Sequence, residues 1–470
     1  MQTEPSQTPA HTTTARGGGL AATEAAARDW LGVALGSLLL GGLLSLMLVV
    51  GRVPIISQLI QDPFFVKKSL IVHVNLTLGC WSFAMFTALF LMIPGAARGR
   101  TFLALGLLGI AVFVASGFMM SVDPVLSNFF PAVDHPLFLA GISVFLLAVS
   151  FTFIDRRLLG DPEGGSPEAA AGGDFLPQAS QQGLRVGVAI YFMGMIAFAV
   201  ALALTSRELD SFGYYNTVFW GVGHIFQLVN VSVLISVWLL LLGRVLPTAP
   251  LTGRAPGLLF GALLLAALGS LYFLYGGPMH HRYVTGFVDL MRWGTWPVPS
   301  LVLLAVLAAF IRQGRAGALP QGALRSAPFQ GFLWSAILLL LGFALGAMIS
   351  GSNTLIPAHY HATIGSVTVA YMAASYLLLE RFGMSIPGPR LLRLSAMQPA
   401  IYGLGQVIFV IGFAYAGMHG LGRKNFGNEQ TLRSTGEVVG LGIAGLGGLL
   451  AVVGGGLFLY IAGRAWFARR

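Results

Sequence analysis

Long apolar runs separated by short polar breaks dominate the chain. A span needs about 20 mostly apolar residues to cross a hydrocarbon layer about 30 Å thick. Twelve segments qualify: 30–50, 69–95, 101–122, 136–154, 184–205, 213–243, 255–276, 284–311, 329–350, 356–379, 396–418 and 436–463. The pattern predicts an all-α integral membrane bundle of twelve transmembrane helices. The longest connection, 155–183, carries Gly, Pro and Ser with Asp161, Glu163, Glu168 and Asp174, the composition of a solvated loop. Residues 29–470 therefore read as a single membrane domain. Residues 1–28 are polar and rich in Ala, Thr and Gly, with no cleavable signal before the first apolar run, and are expected to form a disordered tail.

Composition adds exclusions. Of the 470 residues 56% are hydrophobic and only 9% charged, too few to cover a water-facing surface. The net charge of +10 raises the question of a nucleic-acid partner. Its basic residues stand singly or in pairs between apolar runs, however, which fits membrane anchors facing lipid headgroups rather than a nucleic-acid stripe. Placing both termini in the cytoplasm puts about twice as many basic residues inside as outside, so the tail and the 155–183 loop are expected to be cytoplasmic. The one cysteine, Cys80, lies in an apolar run. It excludes an internal disulfide, a Cys-x-x-Cys-His heme attachment and a two-thiolate copper centre.

Chemistry concentrates in histidine. Of nine, His11, His135 and His419 lie in the tail or loops. The other six stand in or at the ends of apolar segments: His73 in the second, His224 in the sixth, His280 and His281 at the end of the seventh, and His359 and His361 in the tenth. A lone intramembrane His is often a hydrogen-bonded packing residue. Six together point to metal, because imidazole suits iron and copper and gives its lone pair to the ion. His359 and His361, two apart, are about 200° apart around a helix and serve two separate centres. His280 and His281 follow Gly276-Gly277-Pro278, which is expected to loosen the helix end enough for both rings to converge on one ion with His224.

Twelve helices with His in the second and sixth, His-His in the seventh and His-x-His in the tenth resemble the catalytic subunit of the heme-copper oxidoreductase superfamily over essentially the whole chain. The resemblance implies a respiratory enzyme of a prokaryotic cell (inner) membrane with two hemes, of b or a type, and a second metal. His73 and His361 would be axial ligands of a low-spin heme and His359 the proximal ligand of a high-spin heme. His224, His280 and His281 would hold copper in preference to iron. Arg423 and Lys424 would face the heme propionates. Electrons would come from cytochrome c or a similar donor through a second subunit carrying a c-type heme or a thiolate-copper centre, docked near Arg423.

The substrate, O2 or NO, turns on one position. Most oxidases of the superfamily carry a tyrosine four residues after the helix 6 His, and classical NO reductases a glutamate; here that position is Leu228. The cbb-type oxygen reductases place the tyrosine shortly before the His pair, where this chain offers Tyr272 and Tyr275. Gln227 and the stretch Ile356-Pro357-Ala358-His359-Tyr360-His361 are similar to the divergent, oxidase-related nitric oxide reductases, and favour NO over O2. Thr368, Tyr371 and Ser375 make a polar stripe that reads as a proton path. Asp289 and Arg292 read as an intramembrane charged pair, and Glu437 as part of a heme-edge network. A secondary transporter is the rival class, but it leaves the helical histidines unexplained.

Overall fold

The computed structural model describes residues 14–52, 62–94, 100–119, 122–154, 175–424, 432 and 434–468. Its elements are α1 (Thr14–Arg52), α2 (Pro63–Val74), a π-helical turn (Asn75–Cys80), α3 (Trp81–Leu91), α4 (Arg100–Gly117), α5 (Pro136–Phe153), α6 (Gln178–Leu204), α7 (Ser211–Leu242), α8 (Ala255–Ser270), α9 (His281–Gly294), α10 (Pro297–Arg315), α11 (Ala327–Ala347), α12 (Leu355–Arg381), α13 (Gly388–Met418) and α14 (Thr435–Phe467). One two-residue hairpin, Pro124–Val125 with Ala132–Val133, interrupts the helices.

Among the described residues, eleven spans are long and apolar enough to cross a membrane. The third predicted segment falls on α4, whose apolar stretch Phe102–Gly117 is shorter. The eighth is broken: α9 and α10 form one span, Pro297 opening α10 after a short break. Residues 14–28, expected to be disordered, are helical. Ala has the highest helix propensity, Ala26 and Ala27 are buried, and Glu24 pairs with Arg381 at the end of α12 at 2.7 Å. Most of the 155–183 loop lies outside the described residues, and α6 begins within it, at Gln178.

Polar residues close the helix ends. Asp210 accepts from Gly213 N at the start of α7, and Ser434 with Glu437 forms a reciprocal capping box on α14. Glu437, expected in a heme-edge network, thus gives one carboxylate oxygen to Ser434 N at 2.9 Å.

The tightest packing joins α13 to α14. Cβ atoms at Gly405 and Gly412 would stand 2.3 Å from Ala451 N and Ala444 N, and one at Gly447 would stand 2.2 Å from Phe409 N. With Gly440 and Gly454 these glycines recur every seven residues, a seam along which two backbones touch, as membrane helices do where small residues replace the missing hydrophobic drive. Gly412→Leu is expected to part the helices. Its cost is about 3 kcal/mol or more, measurable as a lower thermal midpoint in detergent beside an unchanged Gly442→Leu control, whose Cβ would meet open space.

Candidate heme site

A single cavity of about 1420 Å³ runs along both sides of α12, walled by α1, α2, α7, α11, α13, α14 and the α9–α10 junction. His73, His359 and His361 line it. The two-residue spacing works as expected: the His359 ring lies against α11, where Gly346 makes room, and the His361 ring packs on Phe409 of α13 with centroids 4.8 Å apart.

The surroundings fix how two of these rings can act. His73 Nδ1 is 2.8 Å from the carbonyl oxygen of Gly41 in α1, and His359 Nδ1 is 2.7 Å from that of Gly342 in α11. A carbonyl only accepts, so each Nδ1 carries the proton and each Nε2 keeps its lone pair. Such a second bond orients metal-ligating imidazoles. Both acceptors are glycines, and a Cβ on either would meet the threonine four residues past the histidine, Thr77 or Thr363, at 2.5 Å. Past His73 the π-helical turn shifts the register, and Asn75 Nδ2 holds it by donating to Ile71 O and Pro131 O, both at 2.8 Å. The cavity, the tautomers and the two faces of α12 fit two hemes.

The expected second-metal set does not assemble. His224 is buried in a box of Phe129, Trp220 and Phe287, with ring centroids at 4.4, 4.7 and 5.7 Å, and its Nδ1 is 2.6 Å from Trp220 O. His280 is the N-cap of α9, its Nδ1 accepting from Arg282 N at 3.2 Å. His281 stacks beside it at 4.4 Å on the exposed side of α9. Successive helical residues diverge by about 100°, so α9 turns Tyr283 and Phe287 toward α7 rather than the histidines. Tyr283 donates to Thr217 O at 3.0 Å and accepts from Gly221 N at 2.9 Å. Among the described residues no three His, Cys, Asp or Glu side chains are placed to hold a metal ion.

Other expected residues divide. Gln227 is on the cavity wall, near Asn230. Tyr272 and Tyr275 are 60% and 75% exposed, outside the cavity, with Tyr272 beneath the Arg282 guanidinium at 4.7 Å. The helical stripe splits: Thr368 faces the cavity and bonds Tyr402, whereas Ser375 donates to Tyr371 O at 2.8 Å, back-bonding to its own helix. Arg423 and Lys424 do line the cavity. Arg423 donates to Asn128 Oδ1 at 2.7 Å, and Lys424 donates to Leu126 O while lying 4.8 Å over the Phe212 ring. Burial, with Arg423 adding repulsion, brings the Lys424 ammonium down to about 8.

Sequence reading missed Asn128 and Phe129, whose loop carries no periodic signal, and the cavity-lining pair Tyr402 and Gln406, 3.2 Å apart and visible as an i, i+4 pair on α13.

A heme-copper terminal oxidase solved as a dimer by cryo-EM superimposes with a TM-score of 0.73, covering 96% of this chain and 85% of that one at 15% identity. The two share a fold. No family model matches the sequence. An uncharacterized protein of Aquifex aeolicus (strain VF5) is 28% identical over 364 residues, 75% of this chain and 84% of its own. An uncharacterized protein of Rickettsia prowazekii (strain Madrid E) is 24% identical, covering 94% and 96% of the two chains.

Two outcomes are expected. Gly346→Leu, whose Cβ would come within 2.8 Å of the His359 ring, displaces that ring and lowers bound heme at least twofold by pyridine hemochrome assay. Lys424 binds fewer protons folded than unfolded between pH 8 and its ordinary value of 10.5. Its contribution therefore makes stability rise with pH through that window, and Lys424→Met flattens this part of a pH-resolved melting curve.

Proposed function

We propose that this chain is the heme-binding catalytic subunit of a respiratory oxidoreductase in a prokaryotic cell membrane, reducing nitric oxide to nitrous oxide: 2 NO, two electrons and two protons give N2O and water. The observation that carries the reading is three imidazoles on the wall of one cavity inside a heme-copper terminal oxidase fold.

When bound, the hemes supply electron transfer and the centre at which substrate reacts. The chain's part follows from its own groups. His73 and His361 hold the electron-receiving heme and His359 the reactive one, with Gly41 and Gly342 orienting two of those rings. Arg423 and Lys424, at the same cavity, offer cationic donors to heme carboxylates. Much of the cavity wall is apolar, so a hydrogen bond there counts for more than in solvent. Gln227 offers a neutral amide donor at the wall, able to hold a small bound oxide without adding charge. His224, His280 and His281 are apart, so no step is assigned to a second metal.

NO is favoured over O2 because Tyr272 and Tyr275, the candidate tyrosines for O2 cleavage, lie outside the cavity. Terminal oxygen reduction is the alternative. Electrons would arrive from cytochrome c or a like donor through a second subunit, since Cys80 alone builds neither a c-heme attachment nor a thiolate-copper site.

The purified protein is expected to be coloured, with two hemes per chain; a colourless preparation would return it to the transporters. His73→Ala and His359→Ala should each remove about half of the heme. Under anaerobic conditions NO consumption should exceed O2 consumption on the same preparation, and Gln227→Leu should lower it at least ~10-fold. Faster turnover with O2 would overturn the substrate assignment and leave the heme site standing.

A further inference from the structure

Helix α9 is locked to α7 in a register that keeps the three imidazoles of the expected second-metal set at different levels. The Tyr283 hydroxyl donates to Thr217 O at 3.0 Å and accepts from Gly221 N at 2.9 Å, entering the backbone ladder of α7 itself. One turn on, the Phe287 ring lies 5.7 Å from that of His224, so the two helices run side by side in the same direction. His224 is therefore level with Phe287, and His281, six residues before it, stands about 9 Å nearer the start of both helices. Sliding α9 to close that gap pulls Tyr283 off both backbone groups. Rotating it turns Tyr283 and Phe287, each 0% exposed, away from α7. A Cβ at Gly221 would meet the Tyr283 hydroxyl at 2.9 Å and the Phe287 ring at 3.2 Å, so the missing side chain there belongs to this docking.

The lone pairs are committed as well. A metal takes the lone pair of a neutral imidazole. His280 Nδ1 accepts from Arg282 N at 3.2 Å as the cap of α9, so the neutral ring carries its proton on Nε2 and has no lone pair left to give. His281 is on the exposed side of α9. The His224 ring is closed in by Phe129, Trp220 and Phe287, and Phe129 and Trp220 line the cavity in front of it with Gln227 and Asn230. A carboxylate does not complete the set: Asp289, the acid of α9, is 60% exposed and paired with Arg292 at 3.7 Å.

We propose that this chain carries heme iron alone: the space that His224, His280 and His281 would have to share is filled by Phe129, Trp220 and Phe287, and no second metal binds there. The proposal rests on the heme reading of the cavity and narrows it. His224, with Nδ1 2.6 Å from Trp220 O, is a hydrogen-bonded packing residue, and His280 is a helix cap. On the α7 side the cavity then offers two neutral amides, Gln227 and Asn230, where a second cation would otherwise stand. That wall adds no charge beside the heme.

The test is metal analysis of the protein purified without chelator from cells grown with excess copper and iron, before and after the reduced protein is incubated with one equivalent of Cu(I) and desalted. Expected are iron and heme in a ratio of about one, with copper and zinc each below about 0.1 per chain at both stages. His280→Asn with His281→Ala keeps a capping side chain at the helix start. This double variant should leave heme content, the reduced-minus-oxidised spectrum and metal content unchanged. About one copper per chain, or about one iron beyond the heme, that disappears in the double variant would overturn the proposal and leave the hemes standing. A preparation without heme would overturn the heme reading as well.

Discussion

An imidazole buried in a helix bundle must give its N–H to an oxygen, and for His73 and His359 that oxygen is the carbonyl of a glycine on the neighbouring helix. The bond does two things at once. It satisfies a donor that would otherwise be desolvated without compensation, and it leaves the opposite nitrogen as an acceptor at the cavity wall. The missing Cβ of Gly41 and Gly342 lets the segments that carry the two histidines come close, since a Cβ at Gly342 would meet Thr363 Cγ2 at 2.5 Å. At Gly41 a Cβ would meet Thr77 Cγ2 at 2.5 Å, so the site is built as much from what these positions lack as from the histidines.

The same economy shapes the scaffold around the cavity. Along the α13–α14 seam, glycines recurring every seven residues bring two backbones into contact, which leaves little space there. Phe409 and Tyr402 alternate with these glycines on the same face of α13, their backbones against Gly447 and Gly454 of α14, and both residues line the cavity. Glycines that let the backbones touch and bulky side chains at the edge of the same seam together border a cavity of about 1420 Å³ in an otherwise packed bundle.

Legibility in the sequence followed the range of the interaction. Span positions and the opposed faces of His359 and His361 depend on helical geometry alone; eleven of the twelve segments fall on helices of membrane-spanning length among the described residues, and the two rings pack on different neighbouring helices. Tyr402 and Gln406 were within reach of the same reasoning. The box around His224 was not, because Phe129 enters from a loop and Phe287 from another span. The His280–His281 reading failed at the backbone: Gly276 and Gly277 adopt φ of +94° and +83°, turning the chain so that a new helix starts at His281 with its neighbour as the cap. The cap leaves the two rings side by side, centroids 4.4 Å apart, with His281 on the exposed side of α9. Glu437 shows the opposite error, since Ser434-Thr435-Gly436-Glu437 spells a capping box that local sequence alone predicts.

The break between α9 and α10 bears on whether this span belongs to a transporter, where interrupted helices are common at mid-membrane. An interruption frees backbone carbonyls, which is tolerated at this depth only where protein or a cavity receives them. Here Thr295 Oγ1 donates to Met291 O at 2.8 Å and Ser300 Oγ to Trp296 O at 2.7 Å, so hydroxyls of the span itself occupy two of the carbonyls beside the break. Thr295, Trp296 and Ser300 all line the cavity. A transport site uses its freed groups to bind an ion or substrate, whereas this break answers part of its own demand and bends the span around the cavity. The interruption is therefore better explained by the shape of the space beside it than by a transported ligand.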